Sequence, residues 1–249
     1  MKNSAICLFS GGQDSTVCLY WAIRNFDEVI ALSMDYGQKH SIELSQAKKI
    51  AAIAEVQHVI VPVNLDFMSD SSALLTDDLK VTENHKLRSD LPATFVPGRN
   101  MLFLTLASSF AYVKRYSHIV TGVCQEDYSG YPDCRDNFVK ALQVTVNLAM
   151  DSNLTIHAPL MNQSKADIWA LANDLNIQDL VVSETHTCYS GVRTLNAWGR
   201  GCGECPSCEL REHGWEVYLK NKKERYYYGR QIQSIGERKL RFRRANKRV

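Results

Sequence analysis

Ala5-Ile6-Cys7-Leu8-Phe9-Ser10-Gly11-Gly12-Gln13-Asp14-Ser15 opens the chain with an apolar run that passes straight into a two-glycine turn. A helical period follows at once, with Leu19, Ala22, Ile23 and Phe26 at i, i+3, i+4, i+7. Adjacent glycines let the backbone turn tightly and bring N–H groups up to an anion. The helix N-terminus adds partial positive charge, and the Ser10 and Ser15 hydroxyls add donors, so the turn favours phosphate. The Gly-Lys-Ser/Thr ending of the common P-loop and the dinucleotide G-x-G-x-x-G fingerprint are both absent. Asp14 would repel phosphate unless Mg²⁺ lay between them. The plainer reading is a strand-to-helix turn in which Asp14 or Ser15 caps the helix.

Working outward, strand-like and helix-like segments alternate over the first 180 or so residues. Ala5–Phe9, Val29–Met34, His58–Val63 and His118–Val123 are short and rich in Ile and Val, as buried parallel strands are. The helical period returns at Ala47, Ile50, Ala51, Ala54, at Phe138, Ala141, Leu142, Thr145, and at Ile168, Leu171, Ala172, Leu175. Asn100–Lys114 is apolar nearly all round and reads as a buried helix. The expected fold is α/β, a doubly wound, mostly parallel Rossmann-like sheet, with ligands beyond the carboxyl ends of its strands. Asn64–Arg99 is too long for a passive connection and is expected to border the site. After about Val182 the alternation ends, which divides the chain into residues 1–182, a cysteine-bearing segment over 183–219 and a basic tail over 220–249.

The bulk numbers fit a soluble protein. Hydrophobic content is 45%, and no stretch reaches the roughly 20 apolar residues of a transmembrane helix. Met1–Leu8 lacks a signal-peptide layout, so a cytoplasmic protein without a membrane partner is expected. The net charge of +2 is uneven, with twelve Lys or Arg against two Glu in the tail and an acidic remainder. Such a tail suits RNA, a phosphorylated ligand, or nothing beyond its own acidic body.

Cys202-Gly203-Glu204-Cys205-Pro206-Ser207-Cys208 is a C-x-x-C-x-x-C run, with Cys188 upstream. Four thiolates satisfy tetrahedral Zn²⁺ and leave no open position, so the site reads as structural, clipping a segment that cannot build its own core. The spacing also suits an iron–sulfur cluster, and His186 is a competing ligand.

The Ser10–Ser15 loop resembles the SGGxDS loop of the PP-loop ATP pyrophosphatase superfamily, whose fold is of the adenine nucleotide alpha hydrolase type. Three further motifs, Tyr36-Gly37-Gln38-Lys39-His40, Phe95-Val96-Pro97-Gly98-Arg99-Asn100 and Gly130-Tyr131-Pro132-Asp133-Cys134-Arg135, join the cysteine cluster. Together they are similar to the 7-cyano-7-deazaguanine synthase (QueC) family of queuosine biosynthesis, from about Ala5 to Trp215. The interval Tyr189–Gly201 is longer than that family's usual connection.

The resemblance implies an ATP-dependent ligase that converts 7-carboxy-7-deazaguanine and ammonia to the nitrile through an adenylated carboxylate and an amide. It implies ATP binding by Phe9, Ser10, Gly11, Gly12, Gln13, Asp14, Ser15, Thr16, Val17, Cys18 and Leu19, with Asp35 and Tyr36 along the adenine and ribose. Mg²⁺ would accompany the pyrophosphate, and Asp14, Arg99 and Lys165 would be catalytic. Arg99, Asn100, Tyr131, Asp133 and Arg135 would bind the substrate, and Cys188, Cys202, Cys205 and Cys208 the structural Zn²⁺.

The residue types suit these roles. Asp133 can accept from a guanine-like edge, Tyr131 offers a stacking face, and Arg99 pairs naturally with phosphate. Several alternatives stay open. Asn100 caps its helix or meets ligand, Arg135 holds the substrate carboxylate or a neighbouring acid, and His40 contacts phosphate or makes a structural bond. Lys165 neutralises phosphate charge or lies exposed in a first turn, and Cys134 is a small thiol or a nucleophile. A homodimer without direct tRNA binding is expected. The rivals are a PP-loop tRNA-thiolating enzyme and a nucleotide-binding regulator.

Overall fold

The apolar run that opens the chain forms a strand because both of its faces are buried. Ala5 and Cys7 point into one hydrophobic layer and Ile6 into another, all three fully covered. The computed structural model describes residues 3–37, 42–76, 80–81, 83–85, 88–125 and 130–224. In order come β1 (Ser4–Leu8), α1 (Gln13–Asn25), β2 (Glu28–Asp35), α2 (Ile42–Ile53) and β3 (Gln57–Pro62). The pair β4 (Asn84–His85) and β5 (Arg88–Pro92) precedes α3 (Arg99–Lys114), β6 (His118–Val120), α4 (Asp136–Met150) and β7 (Thr155–His157). The chain continues through α5 (Lys165–Asp174), α6 (Gln178–Glu184), the pair β8 (Leu195–Asn196) and β9 (Gly199–Arg200), and α7 over 206–224.

The central sheet has five strands in the order β3-β2-β1-β6-β7, every neighbouring pair parallel. Alternate residues of its strands enter opposite layers. Val29 and Ala31 join Leu19, Ile50, Ile168 and Trp169 on one face, while Ile30, Leu32 and Ile119 meet Leu104, Ala107, Leu142 and Val146 on the other. The doubly wound α/β fold expected from the sequence is therefore present. Strand order reverses between β1 and β6, and a crevice at their carboxyl ends is the natural ligand position.

Some local expectations need correction. α3 is not a buried helix: Leu104, Ala107, Ser108 and Ala111 are buried, whereas Val113 is 76% and Tyr112 53% exposed. In α4 the buried stripe runs through Val139, Leu142 and Val146, so Ala141 and Thr145 face outward. The strand after Tyr116 ends at Val120. β7 escaped the sequence reading because three residues carry no period of their own.

Cys188, Trp198, Cys205, Cys208 and Tyr218 share the layer of α1 and α5. The region after Val182 thus packs on the main sheet unit. Of the basic tail, residues 220–224 continue α7 and 225–249 lie outside the described residues, as do Gln38, Lys39 and His40.

Candidate active site

Beyond the carboxyl ends of β1, β2 and β6 lies a cleft of about 880 Å³. Its floor is the Ser10–Ser15 turn. Gly12 is the N-cap of α1 in extended conformation, and no side chain caps the helix. The capping reading of Asp14 and Ser15 is therefore not realised, and the first-turn N–H groups remain available to an anion. Ser15 Oγ accepts the Ser10 N–H at 3.2 Å, lies 3.1 Å from Ser10 Oγ and donates to the Gly12 carbonyl at 3.2 Å. Gly11 has φ +83°, and a Cβ there would stand 2.7 Å from Ala47 N and 2.9 Å from the Glu43 carbonyl. From the far side of the switch point, Gly122 presses on the first turn of α1, where a Cβ would lie 3.2 Å from Ser15 N.

Charge is placed around this floor. Lys165, the first residue of α5, donates from Nζ to Asp14 Oδ2 at 2.6 Å, with side chains only 11% and 24% exposed. The Ser164–Asp167 capping box fixes the start of α5. Gly214 of α7 allows the close packing there, since a Cβ would meet Lys165 Cβ at 2.4 Å. Asp14 Oδ1 is buried without a hydrogen-bond partner among the described residues.

Opposite, Arg99 starts α3 after Gly98, whose φ is +70°. Burial opposes its charge, but Tyr36, Tyr131, Tyr189 and Asp133 around it hold the guanidinium above its ordinary pKa. Asp133 Oδ2 accepts the Asn100 N–H at 2.9 Å, and Asn100 Nδ2 donates to Cys134 Sγ at 3.2 Å. Tyr131 bonds through its hydroxyl to Thr94 Oγ1 at 2.5 Å and leans on Phe95 at 5.7 Å between ring centroids. Glu43, from the first turn of α2, faces the same space. Burial pushes its carboxyl up to about 7, with Arg99 pulling the other way.

Beside the floor, Cys188, Cys202, Cys205 and Cys208 bring their sulfurs within 4.8 Å of one another. Thiolates around one zinc at about 2.3 Å lie about 3.8 Å apart, and Cys202 and Cys208 Sγ are 3.9 Å apart. The N–H groups of Glu204 and Cys205 point at Cys202 Sγ, 3.4 and 3.3 Å away. The four cysteines fit a single tetrahedral ion. His186 is outside this group of gathered ligand atoms, and its backbone N–H donates to the Gly11 carbonyl at 3.0 Å.

The family model described as queuosine biosynthesis protein QueC matches residues 4–219. The chain belongs to the QueC family. Proteins named 7-cyano-7-deazaguanine synthase from Parabacteroides distasonis and Clostridium novyi are each 49% identical over 223 residues, covering 90% and 88% of this chain and 97% and 98% of those proteins. One of that name from Wolinella succinogenes is 47% identical over 220 residues, with 87% and 94% covered. These names favour the synthase reading over the tRNA-thiolating one. Membership makes the chain an ATP-using enzyme of the ligase type. Among the described residues no helix is long and apolar enough to cross a membrane.

Within this QueC chain the expected site residues divide. Phe9, Ser10, Gly12, Gln13, Asp14, Ser15, Tyr36, Arg99, Asn100, Tyr131 and Lys165 line the cleft. Val17, Cys18 and Leu19 turn into the core, and Thr16 is fully buried behind the loop. Gly11 supports the turn from beneath, Asp35 is exposed at the end of β2, and Arg135 is exposed beside α4. Asp133 is buried and engaged with α3. Sequence reasoning passed over Glu43, Tyr189, Thr187 and Arg211, which also line the cleft. Glu43 looks like any exposed helical acid in sequence. The other three could have been suspected only from their closeness to the cysteines.

Proposed function

We propose that the cleft carries out the 7-cyano-7-deazaguanine synthase reaction on 7-carboxy-7-deazaguanine, ammonia and ATP. The observation that carries this reading is a single cavity joining the phosphate-favouring turn to the Arg99–Tyr131 wall, with room for a nucleotide beside a purine-like substrate. A carboxylate is a poor electrophile, because its charge repels nucleophiles and oxide leaves badly. Transfer of AMP to its oxygen removes both obstacles, and ammonia then displaces AMP to give the amide. A second adenylation, on the amide oxygen, makes that oxygen a leaving group, and its loss with the remaining N–H protons yields the nitrile.

The chain's part is positioning and charge. Ser10, Gly12 and Ser15 offer donors to the pyrophosphate, and Lys165 and Arg99 balance charge that grows on the phosphates. Tyr36 and Asp35 would border the adenosine. Tyr131, Asn100, Asp133 and Arg135 would hold the deazaguanine and its carboxylate, Asp133 after giving up its bond to Asn100. Asp14, whose Oδ1 lacks a partner among the described residues, suits a Mg²⁺ accompanying the pyrophosphate, where the cation would offset phosphate charge. Zn²⁺ fits the cysteines better than a cluster, which spreads its ligands over several irons. A cytoplasmic homodimer that does not itself bind tRNA completes the reading, with residues 1–182 as catalytic unit, 183–219 as metal segment and 220–249 as tail.

The test incubates the protein with ATP, ammonium and the carboxylate. The expected result is a product with the mass of the nitrile and two AMP released per product. Release of ADP and phosphate, or a reaction that stops at the amide, would overturn it.

A further inference from the structure

The cysteine site and the phosphate turn are joined by a strap, residues 185–188, that passes beneath the turn. On one side His186 N–H bonds the Gly11 carbonyl at 3.0 Å, and the Thr187 methyl abuts Gly12, where a Cβ would approach it to 3.2 Å. On the other side Thr187 is held twice: its carbonyl accepts from Ser207 Oγ, and its hydroxyl accepts from Arg211 Nη1 at 2.8 Å. Two of the metal-site cysteines follow directly, Cys188 after Thr187 and Cys208 after Ser207. An ion that draws these two sulfurs together would fix the Cys188 end of the strap against the helix that carries Ser207 and Arg211.

Arg211 is an unusual fastener. It is 1% exposed, and no carboxylate lies within ion-pair distance of it among the described residues. Its Nε donates to Trp198 O at 2.9 Å and its Nη2 to Val181 O at 2.8 Å, while the guanidinium lies 5.5 Å from the Trp169 ring. Gly199, at φ +117°, leaves it space, since a Cβ there would collide with Nη2. Burial lowers its pKa to about 10, countered in part by Asp14, so it keeps its charge at neutral pH. A buried cation held only by neutral acceptors is a costly way to stabilise a fold. It is well suited to holding several segments in one arrangement.

We infer that Arg211 is a positioning residue that couples metal occupancy of the four-cysteine site to nucleotide binding at the Ser10–Ser15 turn. The inference rests on the ATP reading above but not on the identity of the second substrate. Coupling of this kind is reciprocal: the metal tightens nucleotide binding by the factor by which nucleotide tightens metal binding.

The test uses the full chain. Zinc affinity is measured by chelator competition with and without a non-hydrolysable ATP analogue, and analogue affinity by calorimetry on zinc-loaded and stripped protein. We expect about a tenfold effect in both directions. Arg211→Gln should still bind zinc through its four cysteines, with the coupling reduced to less than twofold. Ser207→Ala, a milder change, should weaken the analogue severalfold in the zinc-loaded protein with its circular dichroism unchanged. Equal analogue affinity with and without zinc, full coupling in Arg211→Gln, or no effect of Ser207→Ala would each overturn the inference. Failure to bind the analogue under any condition would instead remove the ATP reading, and this coupling with it.

Discussion

The two walls of the cleft are built by different means. The Ser10–Ser15 turn is backed at three points by main chain: α2 presses on Gly11, the strap bonds its carbonyl, and the loop after β6 lies on Ser15. The facing wall, from β5 to the turn before α4, is held by side chains that meet across long stretches of chain. Thr94 reaches Tyr131, 37 residues on, the Asn100 amide reaches Cys134, 34 residues on, and the Asp133 carboxylate reaches back to the Asn100 N–H. Backbone dipoles fixed before the ligand arrives need no reorganisation during the reaction. Side-chain contacts can be exchanged for contacts to a ligand, as Asp133 would exchange the Asn100 N–H. The first wall suits a phosphate chain of constant shape, the second a substrate that changes from acid to amide to nitrile.

If so, changes to the fixed wall should cost more than changes to the exchangeable one. Lys165→Ala removes the cation paired with Asp14 at 2.6 Å, and kcat should fall by about a thousandfold. A fall of less than tenfold under saturating ATP would show that this wall does not stabilise transition-state charge. Glu43 tests the backing of the same wall through pH. Its folded pKa of about 7 lies above the ordinary 4.5 because burial disfavours the charged form. Between those values the folded state holds more protons than the unfolded one, so stability is highest at low pH and is lost as pH rises toward 7. The loss should total about 3 kcal/mol, and Glu43→Gln should flatten it; denaturant midpoints from pH 4 to 8 read the difference. Gly11→Ala places a Cβ 2.7 Å from Ala47 N on a backbone with φ +83°. Displacing the turn by even an ångström should lower kcat/KM for ATP about a hundredfold, with a smaller change in KM for the carboxylate. An equal change in both would erase the distinction between the walls.

The same difference decided what could be read in advance. The Ser10–Ser15 turn is contiguous, and its glycines, hydroxyls and following helix point to an anion within six residues. The parallel strands around it announce themselves because both faces are buried, so Ile and Val accumulate without alternation. The cysteine run is legible for the same local reason. Glu43 and Arg211 gave no such sign: an acid in a helical first turn and an arginine after a cysteine are ordinary until folding half-buries the first in the cleft and buries the second. Val17, Cys18 and Leu19, expected with the ATP residues, lie on the face of α1 that serves the core, which a contiguous motif does not reveal. The stripe of α4 was displaced by one position because Phe138, Ala141 and Val139 offer two competing apolar faces, and only the packed sheet chooses between them.

The smallest effect belongs to the exchangeable wall. Tyr131 makes its hydroxyl bond to Thr94 and leans on Phe95. Tyr131→Phe keeps the ring and removes the hydroxyl, which bonds Tyr189 as well as Thr94, a net loss of about 1 kcal/mol. If the ring serves as a stacking face, KM for the carboxylate should rise about fivefold while KM for ATP stays unchanged. Thr94→Val, which deletes one of the two partner hydroxyls, should give a rise no larger than this. The double variant should add little to Tyr131→Phe, since that variant has already lost the bond to Thr94. Additive losses would mean that each hydroxyl has a separate partner in the bound state, and the wall would then be more fixed than its free arrangement implies.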